Sequence, residues 1–361
     1  MPAAPAISAI EAPPRPFERS RMVRGGLKVG ALIALLGLVA AFAPGLGEVR
    51  NRLAHADPTW VAAAVALQVL SCGSYVLLFR PLFKQARDRT LSWATTQRVA
   101  WSALAIGSIV PASGAAGLAY GGWALAREGV ETETVARRSV AFFLIKGSVN
   151  FVAVALLGSV MALGLVGPPV SLWLTAFPAA LSVAAIAAVV LLTRLGEGDA
   201  DATGKLPRAR RTLVAGTREA IAIVARRDPL VIAGALGYWI FDNAVLWAAF
   251  HAFGAHVDVS VILLGYLVGQ LGGLLPIPGG VGGIDLGLIG MLVAFGAPAA
   301  ATAAAVLVYR VILFWIPLLG GAVALGTTRG ARTRTRPAAH PAYATASTPA
   351  SSRREPIPSL R

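Results

Sequence analysis

The chain is 361 residues long, 56% hydrophobic and only 14% charged, yet it carries a formal net charge of +15; its mean hydropathy is +0.69. A soluble domain of this length would interleave charged and apolar faces at helical or strand spacing, and the long apolar runs here carry almost no charge. Nucleic-acid binding is set aside because the positive charge lies in short connections and tails.

Apolar blocks at 27–43, 60–79, 140–166, 170–193, 230–253, 259–275 and 299–327 mostly reach the roughly 17 to 25 residues that a spanning helix needs. They predict an all-α polytopic membrane protein with about six spanning helices. The N-terminal segment 1–26 is basic, with Arg15, Arg19, Arg21 and Arg24, and reads as cytoplasmic. With Lys28 and Ala41-Phe42-Ala43 it mimics a secretory signal. Pro44 would directly follow the cut and further spans come after it, so 27–43 is read as an uncleaved first helix.

The second span, 60–79, returns to a connection holding Arg80, Lys84, Arg87, Arg89 and Arg98 against Asp88, which the positive-inside rule makes cytoplasmic. Between Arg98 and Arg127 the chain is broken by Pro111-Ala112-Ser113-Gly114-Ala115-Ala116-Gly117. Each arm of about a dozen residues covers about 18 Å of a hydrocarbon core about 30 Å thick. A re-entrant hairpin follows, turning at Pro111 to Gly117. Spans 140–163 and 171–193 then lead out and back to a basic cytoplasmic loop, 194–229, with eight Lys or Arg against five acids.

Span 230–252 leads out again, and span 299–326 must end inside because the arginine-rich tail follows it. The intervening 259–298 therefore leaves on the side it entered, as a second hairpin from the opposite face. Its turn is Pro276-Ile-Pro278-Gly279-Gly280-Val-Gly282-Gly283, which two prolines and four glycines bar from being ordinary helix. Backbone this irregular at membrane depth survives only where protein buries it or where it lines a wet cavity.

A shift of 165 residues lays Pro111 on Pro276, Ser113 on Pro278, Gly114 on Gly279 and Gly117 on Gly282. Each turn precedes a span containing a cation, Lys146 or Arg310. Two opposed hairpins so flanked are expected to form an inverted repeat, about 60–163 and about 230–326, with the substrate site near the midplane. Residues 328–361, rich in Pro, Ala, Ser, Thr and Arg, are expected to form a disordered cytoplasmic tail. Plasma-membrane localisation with both termini cytoplasmic completes the topology.

The candidate site residues are the polar ones inside spans. Arg310, midway along its helix, costs at least about 2.5 to 3.5 kcal/mol on insertion scales and so needs a partner, for which Asp242, next to Asn243, is the nominee. Lys146 either enters the site or snorkels to the interface, with Asn150 one turn on to share a hydrogen bond. Asp285 begins the second arm of its hairpin and either caps it or binds substrate. The two broken turns expose helix N-termini that favour anions, which brings Ser113, Gly114, Gly279, Gly280 and Gly282 into the candidate set. With Arg310 and Lys146 near, a phosphate-bearing lipid headgroup is the expected cargo, held by a phospholipid or a polyprenyl-phosphate lipid.

The run 272–285, Gly-Gly-Leu-Leu-Pro-Ile-Pro-Gly-Gly-Val-Gly-Gly-Ile-Asp, with Gly296-Ala-Pro, Tyr309-Arg310 and Phe314-Trp315-Ile316-Pro317, resembles the transmembrane domain of the lysylphosphatidylglycerol synthase family. The resemblance extends over about 25–327 and is specific in the last third. Asp285 stands where that family commonly has glutamate, a change of reach rather than charge. The resemblance implies headgroup flipping in the membrane domain, with aminoacyl transfer carried out by a separate soluble domain. A 33-residue tail gives no room for that transferase, so synthase activity is not expected.

No Walker-type loop, HExxH or cysteine cluster occurs, and neither metal nor cofactor is expected. The expectation is a non-enzymatic lipid translocase, flippase or scramblase. Two other classes stay open. One is a non-transporting membrane partner of a lipid synthase or glycosyltransferase. The other is an intramembrane lipid-modifying enzyme, for which only Asp242, Asp285, Tyr309 and scattered Ser or Thr are available.

Overall fold

The computed structural model describes residues 47–84, 90–109, 115–194, 205–270 and 283–334. Among these, the secondary structure is helical, in eleven helices: α1 Gly47–Ala54, α2 Pro58–Phe83, α3 Trp93–Ile109, α4 Ala115–Arg127, α5 Thr132–Ala162, α6 Leu172–Leu192, α7 Lys205–Ala225, α8 Pro229–Ala252, α9 Val259–Gln270, α10 Gly283–Ala294 and α11 Ala299–Arg334. Five of them, α2, α5, α6, α8 and α11, are long and apolar enough to cross a membrane. The expected first span, 27–43, lies outside the described residues.

Helices α2 and α8 start alike. Pro58 and Pro229 occupy the first helical turn, where a missing N–H is harmless and φ is preset. Asp57 and Asp228 cap them, each Oδ1 accepting the backbone N–H two residues on, at 2.8 Å from Thr59 and 2.9 Å from Leu230. The two helices pack antiparallel along their length. Asp57 N–H donates to Ala252 O at 2.8 Å, and Ser71 Oγ donates to Tyr238 O at 3.1 Å. Gly234 allows the close approach, since a Cβ there would collide with the backbone of Leu78.

The shorter helices pair as neighbours, α3 with α4 and α9 with α10. Small residues set the contacts. A Cβ on Gly117 would strike Ala103 O, and one on Gly269 would sit 2.8 Å from Leu288 Cα. Helix α11 lies against α3 through Gly320 and Gly321, which face Trp101 and Ala105.

Two buried cores result. One joins Leu246, Phe250, Ile262, Leu264, Leu288 and Val306 from α8 to α11. The other joins Tyr75, Phe79, Phe83, Val99, Leu125 and Phe142 from α2 to α5, where the rings of Phe79 and Phe83 meet tilted by 34° with centroids 4.5 Å apart. Helix α6 buries little of itself. Leu172, Trp173 and Phe177 stay exposed, as suits a helix against lipid.

Three helix boundaries differ from the sequence expectation. Helix α5 begins at Thr132, two turns before 140, because Arg137 and Arg138 are satisfied in helical form: their Nε groups pair with Glu219 at 2.6 and 3.2 Å. Arg138 Nη1 also donates to Leu82 O at 2.9 Å. The expected loop 194–229 contains α7, an amphipathic helix whose Gly216 packs against Val140. Its apolar residues recur at helical spacing but are too diluted by arginine to stand out as a span. Helix α11 continues to Arg334, into the residues expected to be disordered from 328. The chain divides into a compact unit to Leu325 and a second unit from Gly326, whose described residues are the last turns of α11.

Candidate functional site

The polar interior of the membrane unit is organised by Asp242 on α8. It is 5% exposed, and its neighbour Asn243 is 3% exposed. A carboxylate so buried must be hydrogen-bonded to persist. Two tyrosines supply the bonds on the same oxygen, Oδ2. Tyr266 on α9 donates to it, and Tyr309 on α11 donates at 3.2 Å. The two rings meet edge to face with centroids 6.5 Å apart. One acid thus ties three helices together.

Arg310 does not pair with Asp242, contrary to expectation. Consecutive helical residues point about 100° apart, so when Tyr309 faces α8 its neighbour is turned away. Arg310 Nε donates instead to Asp285 Oδ1 on the first turn of α10. Its Nη2 is buried and makes no hydrogen bond. Asp285 is therefore the guanidinium's counterion in this structure.

Lys146 does not snorkel to the end of its helix. It turns inward, placing Nζ 5.1 Å from the ring centroid of Tyr238, one turn before Asp242 on α8. Asp242 lies within electrostatic reach but outside salt-bridge distance. The expected hydrogen bond to Asn150 is not made, since Asn150 Oδ1 is buried without a partner.

Further polar groups on the same helices complete the interior. Gln68 Nε2 on α2 donates to Cys72 Sγ at 3.6 Å, and Asn243 Nδ2 donates to Trp239 O at 2.9 Å. Gln68 Oε1, Trp239 Nε1 and Asn243 Oδ1 are buried without hydrogen bonds. Together with Asn150 Oδ1 and Arg310 Nη2 they leave three acceptors and two donors unused in α2, α5, α8 and α11. Leaving such groups unmade costs about 1–3 kcal/mol each, so a polar occupant or water is needed. A separate groove between α5 and α6, lined by Leu163, Ala176, Ala180 and Val183 with Ser159 as its one polar residue, is mostly apolar.

The family model for the lysylphosphatidylglycerol synthase TM region matches residues 27–321. The chain belongs to that family. The match takes in every helix that carries the polar interior, from Gln68 on α2 to Arg310 on α11. A curated relative, a UPF0104 membrane protein of Methanothermobacter thermautotrophicus, is 33% identical over 86 residues, which is 24% of this chain and 26% of that protein. The chain thus matches about a quarter of that relative's length.

In this family member, the structure brings together Asp242, Lys146 and Tyr238 around α8, and Arg310 with Asp285 between α11 and α10. Gly117 is a packing residue between α3 and α4. The turn residues Pro111, Ser113, Gly114, Pro276, Pro278, Gly279, Gly280 and Gly282 lie outside the described residues. Among the described residues no group of three or more His, Cys, Asp or Glu is placed to hold a metal. Sequence reasoning missed Tyr238, Tyr266, Trp239 and Gln68 as part of the site. A signal existed, because a tyrosine hydroxyl inside an apolar span must find a partner, and three of the chain's six tyrosines gather around Asp242.

Proposed function

We propose that this protein is a lipid translocase that moves a phosphate-bearing headgroup through the polar interior while the acyl chains stay in lipid. The observation that carries the proposal is the set of buried, unused hydrogen-bonding atoms on α2, α5, α8 and α11, accompanied by two intramembrane cations, Lys146 and Arg310. Intramembrane cations mark substrate or ion pathways because their insertion cost must be offset.

An inverted repeat is part of the proposal. A span, two short paired arms and a long helix follow one another from Pro58 to Ala162 and again from Pro229, and α2 and α8 run antiparallel with the same Asp-Pro start. These features support two halves of opposite orientation, with α3–α4 and α9–α10 as re-entrant hairpins gating the interior from either side. Charge distribution supports a plasma-membrane orientation with both termini cytoplasmic. No bond-making chemistry is assigned to this chain.

The test is headgroup translocation in vesicles holding the purified full chain and a fluorescent phosphatidylglycerol quenched from outside. Protection should be lost faster than in protein-free vesicles, and Arg310→Gln should return the rate to background while the variant stays monodisperse. Background rates with the unaltered protein would reject translocation. Co-purification of a synthase or glycosyltransferase in that case would favour the reading as a non-transporting partner.

A further inference from the structure

The two intramembrane cations are in unlike electrostatic states. Arg310 is neutralised by Asp285. Lys146 has no ion-pair partner among the described residues, and its ammonium rests on the Tyr238 ring, which holds a cation in place without cancelling its charge. The carboxylate nearest in effect, Asp242, is engaged by two tyrosine hydroxyls. One turn further along α5, Asn150 Oδ1 is buried and unused.

We infer that Lys146 is the docking residue for the phosphate in this conformation, and that Arg310 is held in reserve by Asp285. The inference rests on the translocase reading above and assigns an order within it. A phosphodiester brings the anion that Lys146 lacks, and a hydroxyl or other hydrogen-bond donor on the headgroup satisfies Asn150. Arg310 keeps one unused donor, Nη2, but its charge is already matched by Asp285, so it offers a phosphate its full charge only by exchanging Asp285 for it, which frees the first turn of α10 from α11. Lys146 thus sets the affinity of first binding, and the Arg310–Asp285 exchange governs the step that follows.

Equilibrium binding separates these roles without requiring transport. The probe is short-chain phosphatidylglycerol, with short-chain diacylglycerol, which lacks the phosphodiester, as the control, added to full-length protein in neutral detergent and counted by native mass spectrometry. Lys146→Gln should weaken phosphatidylglycerol binding about tenfold or more, the weight of one charge-assisted hydrogen bond. Arg310→Gln should change it less than threefold. In the Lys146→Gln background, Asp285→Asn should recover binding, because it releases a guanidinium that was already paired.

Binding by Lys146→Gln equal to that of the unaltered protein overturns the inference. So does a loss in Arg310→Gln as large as that in Lys146→Gln, or the absence of saturable phosphatidylglycerol binding over diacylglycerol. Failure of translocation with intact, Lys146-dependent binding would reject the transport reading alone.

Discussion

Removing one hydroxyl from the Asp242 network should destabilise the protein by an amount that depends on which tyrosine loses it. Tyr266 and Tyr309 donate to the same oxygen, Tyr266 at closer range and Tyr309 at 3.2 Å. Interhelical hydrogen bonds in membrane proteins average about 0.6 kcal/mol and reach about 1.7 kcal/mol. Tyr266→Phe, which removes the shorter bond to a buried carboxylate, belongs at the upper end, about 1.5 kcal/mol. Tyr309→Phe should cost about 0.6 kcal/mol. At about 2.1 cal/mol/K per residue, a chain of 361 residues shifts by roughly 1–2 °C per kcal/mol, so the Tm shifts are about 2–3 °C and about 1 °C.

The double variant leaves Asp242 without either bond. Buried groups stripped of every partner cost more than the sum of single deletions, so its shift should exceed the two added together. The chain supplies its own reporter. Cys72 is the single cysteine, buried in α2 near this network, and becomes reactive to a thiol-sensitive fluorophore only as the bundle opens. Thermal ramps in neutral detergent therefore read all three variants. A Tyr266→Phe Tm within 1 °C of the unaltered protein, or additive shifts in the double variant, would refute the shared-acceptor geometry.

Three other perturbations follow from the packing. Glu219→Gln removes the negative charge shared by Arg137 and Arg138 and turns one of its two acceptor oxygens into a donor; these groups are partly solvated, so the global cost should stay below about 1 kcal/mol, but α7 should become several-fold more sensitive to trypsin. Gly234→Leu forces a side chain into the backbone of α2 at Leu78 and should leave no monodisperse peak on size exclusion, whereas Gly147→Ala, which meets nothing within 4 Å, should be neutral or stabilising by up to about 1 kcal/mol. Gly320→Ala should lower the Tm through collision with the Trp101 ring, and Trp101→Ala should recover part of that loss.

The spans were legible because a helix facing lipid must be apolar on all sides, and α2, α5, α6, α8 and α11 are long enough to declare themselves. Lys146, Asp242, Asp285 and Arg310 stood out for the converse reason, as charges where charge is costly. Their pairing was not legible. Whether Tyr309 or its neighbour Arg310 faces α8 depends on the rotation of α11, which is set in part by Gly320 and Gly321 against α3, far along the helix from the site. Helix α7 was hidden for another reason. Its arginines satisfy the rule for a cytoplasmic loop equally well, and only its fit to α5 through Gly216 and Glu219 distinguishes helix from coil.

The proposed inverted repeat bears most directly on the unlike states of the two cations. Lys146 and Arg310 follow their respective broken turns at nearly the same interval, so two equivalent halves would be expected to neutralise them alike. They do not, because Asp285 has no acidic counterpart near Gly117 to Tyr120 on α4. A pair of halves that differ in this one counterion has an intrinsic direction, since an anion arriving at Lys146 meets an open charge and one arriving at Arg310 meets an occupied one. Moving the acid should move the preference. Asp285→Asn combined with Tyr120→Asp would place the counterion in the first half instead. In vesicles of defined orientation, the initial rate should then fall for phosphatidylglycerol supplied on the side that fed the unaltered protein and rise for the opposite side. Unchanged sidedness would show that the asymmetry of Asp285 does not set the direction of loading.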